Sequence, residues 1–226
     1  MFRWLVGSLG LLAGCAWRTG VDEEASVAAA VVAAVHSADV QGQPCVASVA
    51  DLELAGEALV SDARMQAEHL IIVRKKVRRI QRFHRGKVST VDTVDGSPSC
   101  WPIGLGFAPE GHKYREGDGR TPEGWYRSSD KPWSQFYGAI AVHYPNAQDA
   151  EAGRVQQRID GATAQSIQRA LSNGEKPKQD SALGGEILIH GGGGATDWTL
   201  GCIAMNNGDL DALRSGMPSG MKTDVL

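Results

Sequence analysis

The chain has 226 residues, 42 % of them hydrophobic, enough for one core or for one core with a small appendage. Its 23 basic and 26 acidic side chains leave a net charge of −3, which gives no electrostatic footprint for nucleic acid and none for acidic substrates. Aromatic residues make up only 6 % and gather between Trp101 and Tyr144, as the walls of a cleft or as ordinary core packing.

The N-terminus, MFRWLVGSLGLLAGCAW, places Arg3 before an apolar run from Trp4 to Ala13. That run is too short to span a bilayer, which needs about 20 residues, and it suits the h-region of a secretory signal. Leu12-Ala13-Gly14-Cys15 resembles a bacterial lipobox, in which the signal is removed before the cysteine. The resemblance implies a lipidated Cys15 and stable anchoring by several acyl chains. Ala16 after the cysteine then favours the outer membrane, so the expected location is the periplasmic side of a bacterial envelope. A plain secretory signal with an incidental cysteine is the other reading.

Trp17 to Val21 reads as a tether. Glu23 to Ala38 is alanine-rich, with Val27, Val31, Ala34 and Val35 at helical spacing and acidic residues at its start. Gln41 to Pro44 breaks it, and a second helix is expected over Val49 to Glu68. From Leu70 the character changes. The segment LIIVRKKVRRIQRFHRGKVSTV mixes β-branched residues with eight Lys or Arg between Arg74 and Lys87, and Arg85-Gly86-Lys87 makes a turn. Leu70, Val77 and Ile80 also fit a helix, but the hairpin spacing favours strands. The basic run is a solvated face or a surface for anionic cell-wall or lipid groups.

Trp101 to Tyr126 is glycine-dense loop, and Phe136 to Asn146 reads as a strand running into a turn. Gly161 to Gly174 reads as a helix with Ile167, Ala170 and Leu171 on one face. Glu186 to His190 is a short buried strand. Asn206-Asn207 starts a short helix with Asp209 in its first turn. Many short strands with few helices define a mostly β (α+β) domain from residue 70 onward.

His190 and Cys202 stand at the two ends of the loop that begins with Gly191 to Gly194. A cysteine becomes a nucleophile as thiolate, and an imidazole can take its proton near neutral pH. Gly201 lets the backbone approach a substrate, and nearby N–H groups can bind an oxyanion. By chemistry alone, one His and one Cys twelve residues apart is a weak signal; a wide strand-to-helix turn looks the same.

The flanks are more specific. IHG followed by TLGCIAMNNGDLDAL resembles the active-site segment of the murein L,D-transpeptidase family, the YkuD-type catalytic domain. The matching residues are His190, Gly191, Thr199, Gly201, Cys202, Ile203, Met205 and Asp209, with Thr121, Pro122, Gly124 and Tyr126 upstream. Leu200 stands where many members carry His, and Ala204 where most carry Arg. The GCIAM ending, with HYPN at 143–146, resembles a subgroup that includes enzymes acting on murein–lipoprotein links.

The resemblance implies an L,D-transpeptidase-type β-sandwich in the domain at residues 70–226; the lipobox and the N-terminal spacing add a signal peptide at 1–14 and a lipidated, tethered helical appendage at 15–69. It implies Cys202 as nucleophile, His190 as proton donor and acceptor, Gly201 as oxyanion backbone, and Gly191 as the residue that orients the imidazole. Thr199, Tyr144, Asn146 and Trp198 are expected to contact substrate. With Cys15 and Cys202 so assigned, Cys45 and Cys100 remain as a pair for an oxidising compartment. Such a bridge could stabilise the domain by roughly 3–4 kcal/mol. No cofactor and no metal are implied, since the six histidines lack ligand spacing with cysteine.

The expected partners are peptidoglycan stem peptides, a murein-linked lipoprotein, and the membrane through the lipid, with no nucleic acid. The reaction is acyl transfer through a thioester. The alternatives are a hydrolase with the same site (L,D-carboxypeptidase or murein–lipoprotein amidase) and a non-catalytic cell-wall binding protein.

Overall fold

A computed structural model describes residues 45–52, 62–90, 96–218 and 224–225. The signal peptide, Cys15, the tether and the helix expected over Glu23 to Ala38 lie outside the described residues.

The continuous apolar run at Leu70 makes strand β1 (Leu70–Arg74), because both of its faces are covered. Strand periodicity sends Ile71 to the main core and Leu70 and Ile72 to a second cluster with Val46, Val49, Leu52, Met65 and Phe83. A tight turn, with Arg78 in the left-handed region (φ 52°), leads to β2 (Arg79–His84). Arg85 and Gly86, also at positive φ, return the chain into β3 (Lys87–Val88).

The helix expected over Val49 to Glu68 does not form as one element. Its described parts are two 3-10 turns, Val49–Asp51 and Ala63–Gln66, and Leu52 between them is extended (ψ 119°). The first turn is closed locally by a capping box of Ser48 and Asp51, and the second by Asp62 accepting from the Arg64 N–H. Both turns pack on β1 and β2. Cys45 is disulfide-bonded to Cys100 with Cα atoms 6.0 Å apart. Beside it the buried Gln81 amide pairs with both backbone groups of Val46 (2.9 and 3.2 Å).

β4 (Cys100–Pro102), β5 (Tyr126–Asp130), β6 (Ala139–Val142), β7 (Leu188–His190), β8 (Ile203–Ala204) and β9 (Asp224–Val225) complete the strands. Three α-helices occur among the described residues: α1 (Ala147–Val155), α2 (Gly161–Ser172) and α3 (Asn207–Ser215). One sheet runs β3-β2-β1-β9-β5 with β4 on β2, and the other runs β5-β6-β7-β8. β5 serves both, pairing with β9 through Tyr126 and Arg127 and with β6 through Ser128 to Asp130. β1–β9 and β7–β8 are parallel and the remaining pairs antiparallel. Ile71 and Ile80 of the first sheet, Ile140, Ile189 and Ile203 of the second, Ile167 of α2 and Leu210 and Leu213 of α3 share one core. The architecture is α+β, two mostly antiparallel sheets with helices on a shared core.

α2 falls where its apolar spacing places it, capped by Asp160 on the Thr163 N–H. α1 has no such stripe; Asn146 and Asp149 start it with a capping box, and its buried positions are Asp149, Ala150 and Gly153. The basic run is neither a solvated face nor a docking surface at three of its residues. Lys75 donates to the carbonyls of Gly111 (2.6 Å) and Thr121 (2.8 Å) and pairs with Glu123. Arg78 grips Asp197 (2.7 Å). Buried Arg82 bonds Ser89 and the Thr90 and Leu213 carbonyls, the last in the closing turn of α3 where a cation suits the dipole.

Candidate active site

β6, β7 and β8 build the floor. Ala139 pairs with His190 and Ala141 with Leu188, while Ile189 pairs with Ile203 and His190 with Ala204. Alternation sends Ile140, Ile189 and Ile203 into the core and leaves Ala139, Ala141, Leu188 and His190 on the opposite face. Cys202, just before β8, packs on that same face against Ala139, Ala141 and Leu188. The two candidate residues therefore lie diagonally across adjacent strands on one face, beside Ala139 and Ala141.

His190 is 1 % exposed. Phe136 stacks on its ring (centroids 4.0 Å apart, planes 19°) and Trp198 meets it edge-on at 5.8 Å. Its Nδ1–H donates to the Gly191 carbonyl oxygen at 2.6 Å. A carbonyl only accepts, so this bond assigns the proton to Nδ1 and leaves Nε2 as the basic nitrogen. Burial pushes the imidazole below its usual 6.5, against the pull of the Gly191 bond. Glycine is required at 191, where a Cβ would stand 2.5 Å from Asn207 Oδ1 and 2.9 Å from the Tyr137 carbonyl.

Cys202 is a free thiol. Its Sγ donates to the Glu186 carbonyl at 3.4 Å. Burial raises its pKa, the Leu188 backbone N–H lowers it, Glu186 raises it, and Lys113 and Lys131 pull it down; the net direction is up. Both members of the pair are thus neutral at rest. Glu186 sits in the left-handed region (φ 54°), a conformation that costs energy for a side chain with a Cβ. Burial would push its carboxyl up, but hydrogen bonds from Lys131 and Lys176 hold it below the usual range.

The loop between the pair is stitched on both sides. Asn207 Oδ1 accepts from Gly192 N–H (2.9 Å), Gly193 N–H donates to the Met205 carbonyl, and Trp198 Nε1–H donates to the Gly193 carbonyl (3.0 Å). Asp197 accepts from Arg78 and from the Leu105 N–H (2.9 Å). Thr199 Oγ1 accepts from Gly201 N–H at 3.1 Å and donates to the Cys202 carbonyl at 2.8 Å. Gly201 has φ 131°, and a Cβ there would meet the Arg120 carbonyl at 2.6 Å.

Several expected roles change. Thr199 is 4 % exposed, and both of its hydroxyl hydrogen bonds stay within its own turn. Gly201 N–H is committed to Thr199 and is not an open oxyanion donor. Tyr144 is fully buried, its hydroxyl donating toward the Lys113 and Leu183 carbonyls. Asn146 caps α1 and bonds the Trp125 carbonyl. Trp198 does stand at the site, 45 % exposed beside His190. Ala204 is fully buried, in register with His190. Sequence reading missed Phe136 and Glu186. Phe136 carried no signal beyond lying in a loop with Trp133 and Tyr137, whereas Glu186 directly precedes the apolar strand. Among the described residues, no group of three or more His, Cys, Asp or Glu is placed to hold a metal ion.

The model of the YkuD L,D-transpeptidase catalytic domain matches residues 68–225, and the chain belongs to that family. Similar solved structures include the helical cell shape determining protein Pgp2 from Campylobacter jejuni (21 % identity, TM-score 0.47, 75 % of this chain and 52 % of that one). Bd1075 from Bdellovibrio bacteriovorus follows (19 %, 0.42, 74 % and 49 %). An L,D-transpeptidase from Xylanimonas cellulosilytica is more distant (11 %, 0.36, 71 % and 60 %). The chain spans about half the length of the first two. A search of curated proteins found no match.

Proposed function

We propose that the chain is a cysteine-dependent acyl transferase that acts on the L,D bond of peptidoglycan stem peptides. The observation that carries the reading is the placement of His190 and Cys202 on one face of β7–β8, with Nε2 free to accept a proton. Cys202 Sγ attacks the diamino-acid carbonyl as His190 Nε2 takes the thiol proton. The developing oxyanion falls to the Cys202 N–H, since the Gly201 amide is engaged. Collapse expels the D-residue, whose amine receives the proton from Nε2, and leaves a thioester on Cys202. An amine acceptor then yields a crosslink or an attached lipoprotein, while water yields hydrolysis. Lipidation of Cys15 holds the domain at the periplasmic side of the outer membrane.

The test is mass spectrometry of purified muropeptides incubated with the protein beside Cys202→Ala. Loss of a terminal D-residue or new crosslinks, absent with the variant, supports acyl transfer. Release of a lipoprotein-derived peptide assigns the hydrolytic branch. No change in any substrate sinks both in favour of a binding protein. A Cys15→Ala variant that still partitions into detergent phase would remove the anchor.

A further inference from the structure

On β5, at the far edge of the sheet that carries His190, lies a cavity of about 740 Å³ whose lining includes Arg127, Ser129, His143 and Lys176. A second, of about 420 Å³, shares Arg127 and His143 and adds Trp125 and Arg64. His143 is 5 % exposed, with Nε2 on Ser129 Oγ (2.9 Å) and no partner for Nδ1. Among the described residues three buried side-chain polar atoms lack a hydrogen-bond partner: His143 Nδ1, Trp125 Nε1 and Asp130 Oδ1. The last sits in an ion pair with Arg214 (3.0 Å), so the two truly vacant groups both belong to residues that line these cavities.

The charged side chains that line the larger cavity are Arg127, Lys176 and Glu68. Arg127 is exposed on β5, and Lys176 shares Glu186 with Lys131. The single acidic residue lining the larger cavity, Glu68, faces solvent and approaches Arg85 at 3.9 Å. Burial first, then Lys176 and Arg127, pushes His143 down to about 4, so its ring is neutral. A neutral ring with Nε2 accepting from Ser129 presents Nδ1–H as a donor. A buried donor without a partner is costly, and a ligand oxygen would recover that loss.

The cavity is wired to Cys202. Lys176 binds the Glu186 carboxylate, and the Glu186 carbonyl holds the Cys202 thiol. By register Ser129 pairs with Ala141 and Ala141 with Leu188, next to Cys202. Three strand spacings make about 14 Å between backbones.

We propose that the Arg127–His143–Lys176 cavity is a carboxylate subsite, which holds a free carboxylate of the stem peptide while Cys202 attacks its diamino-acid carbonyl. The proposal rests on the stem-peptide reading above. Two carboxylates lie within reach of such a chain: the α-carboxylate of the γ-linked glutamyl residue, and the second carboxylate of the diamino acid.

The experiment titrates full-length Cys202→Ala protein with a stem tetrapeptide carrying both carboxylates, and with two analogues in which one or the other is an amide. The His143 imidazole is followed by NMR, and turnover of the same peptides is measured with Cys202 intact. The result expected is a His143 shift with the diacid and about tenfold weaker binding for one of the two amides, which identifies the carboxylate. Arg127→Ala should raise KM about tenfold for the diacid with kcat nearly unchanged, and Arg127→Lys should recover part of it. Arg127 is exposed, so the variant tests binding and not folding. Turnover with an unmoved His143 and an Arg127→Ala variant indistinguishable from wild type would overturn the subsite and leave acyl transfer standing. Absence of both binding and turnover would overturn the two together.

Discussion

Cys202 Sγ donates to the carbonyl oxygen of Glu186 at 3.4 Å, so the resting thiol is held by the residue that leads into β7 and not by His190. Burial pushes the thiol above its ordinary 9.0 and the imidazole below its ordinary 6.5, which makes the resting pair neutral. Proton transfer then has to accompany attack. Iodoacetamide should alkylate Cys202 slowly at pH 7, with a rate that climbs as pH rises past 9. A rate already at its plateau below pH 7 would mean a preformed thiolate–imidazolium pair and contradict this.

Phe136 keeps water from one face of His190. Phe136→Ala should hydrate the ring and move its pKa up toward 6.5. The folded value is depressed, so wild-type His190 remains a competent base to a lower pH than a free imidazole. The acid limb of kcat/KM should therefore shift to higher pH in the variant, with the alkaline side unchanged. A pH–rate profile on one muropeptide reads this directly.

Thr199→Val removes an acceptor and a donor at once, leaving the Gly201 N–H and the Cys202 carbonyl without their shared partner. The expected cost is about 1–3 kcal/mol in a urea melt. A fall in kcat that exceeds the stability effect would show that the turn also aims Cys202. Gly201→Ala should be worse, because its Cβ would stand 2.6 Å from the Arg120 carbonyl.

Arg78 and Asp197 join the β1–β2 turn to the loop between His190 and Cys202. Burial raises the Asp197 pKa, but the Arg78 hydrogen bonds and the Leu105 N–H outweigh it and hold the carboxyl below 3.8. A depressed folded value means the stabilisation is present above the unfolded pKa, near 3.9, and is lost as pH falls through the folded value. Denaturant melts of wild type and Asp197→Asn should differ at pH 7 and converge in strong acid. Curves that stay parallel through acid would sink the assignment.

The Cys45–Cys100 bridge ties the segment before β1 to β4 across 55 residues. Its replacement by Cys45→Ser with Cys100→Ser should lower stability by about 3–4 kcal/mol. Carbapenem acylation of Cys202, followed by intact mass, should survive, because the bridge lies on the first sheet and His190 and Cys202 on the second.

Local features were legible before any coordinates: the strand at Leu70, the α2 helix, and the His190-to-Cys202 loop that marks the family. Each is written in contiguous residues, as an unbroken apolar run, a 3.6-residue stripe, or a run of glycines. α1 was not, since its buried face is Asp149, Ala150 and Gly153 and carries no apolar period. Tyr144 and Asn146 read as substrate contacts because a polar or aromatic residue near a strand end looks the same whether it faces a cleft or a core. Thr199 lies in the right motif but turns inward, and only its two hydrogen bonds reveal that. Arg78 finds Asp197 at a separation of 119 residues, and Glu186 meets Lys131 across 55. Such partners are set by which strands become neighbours, a consequence of burying both sheets on one core. Residue types and their order along the chain set the chemistry on offer; packing selects which groups are dry, paired and able to act.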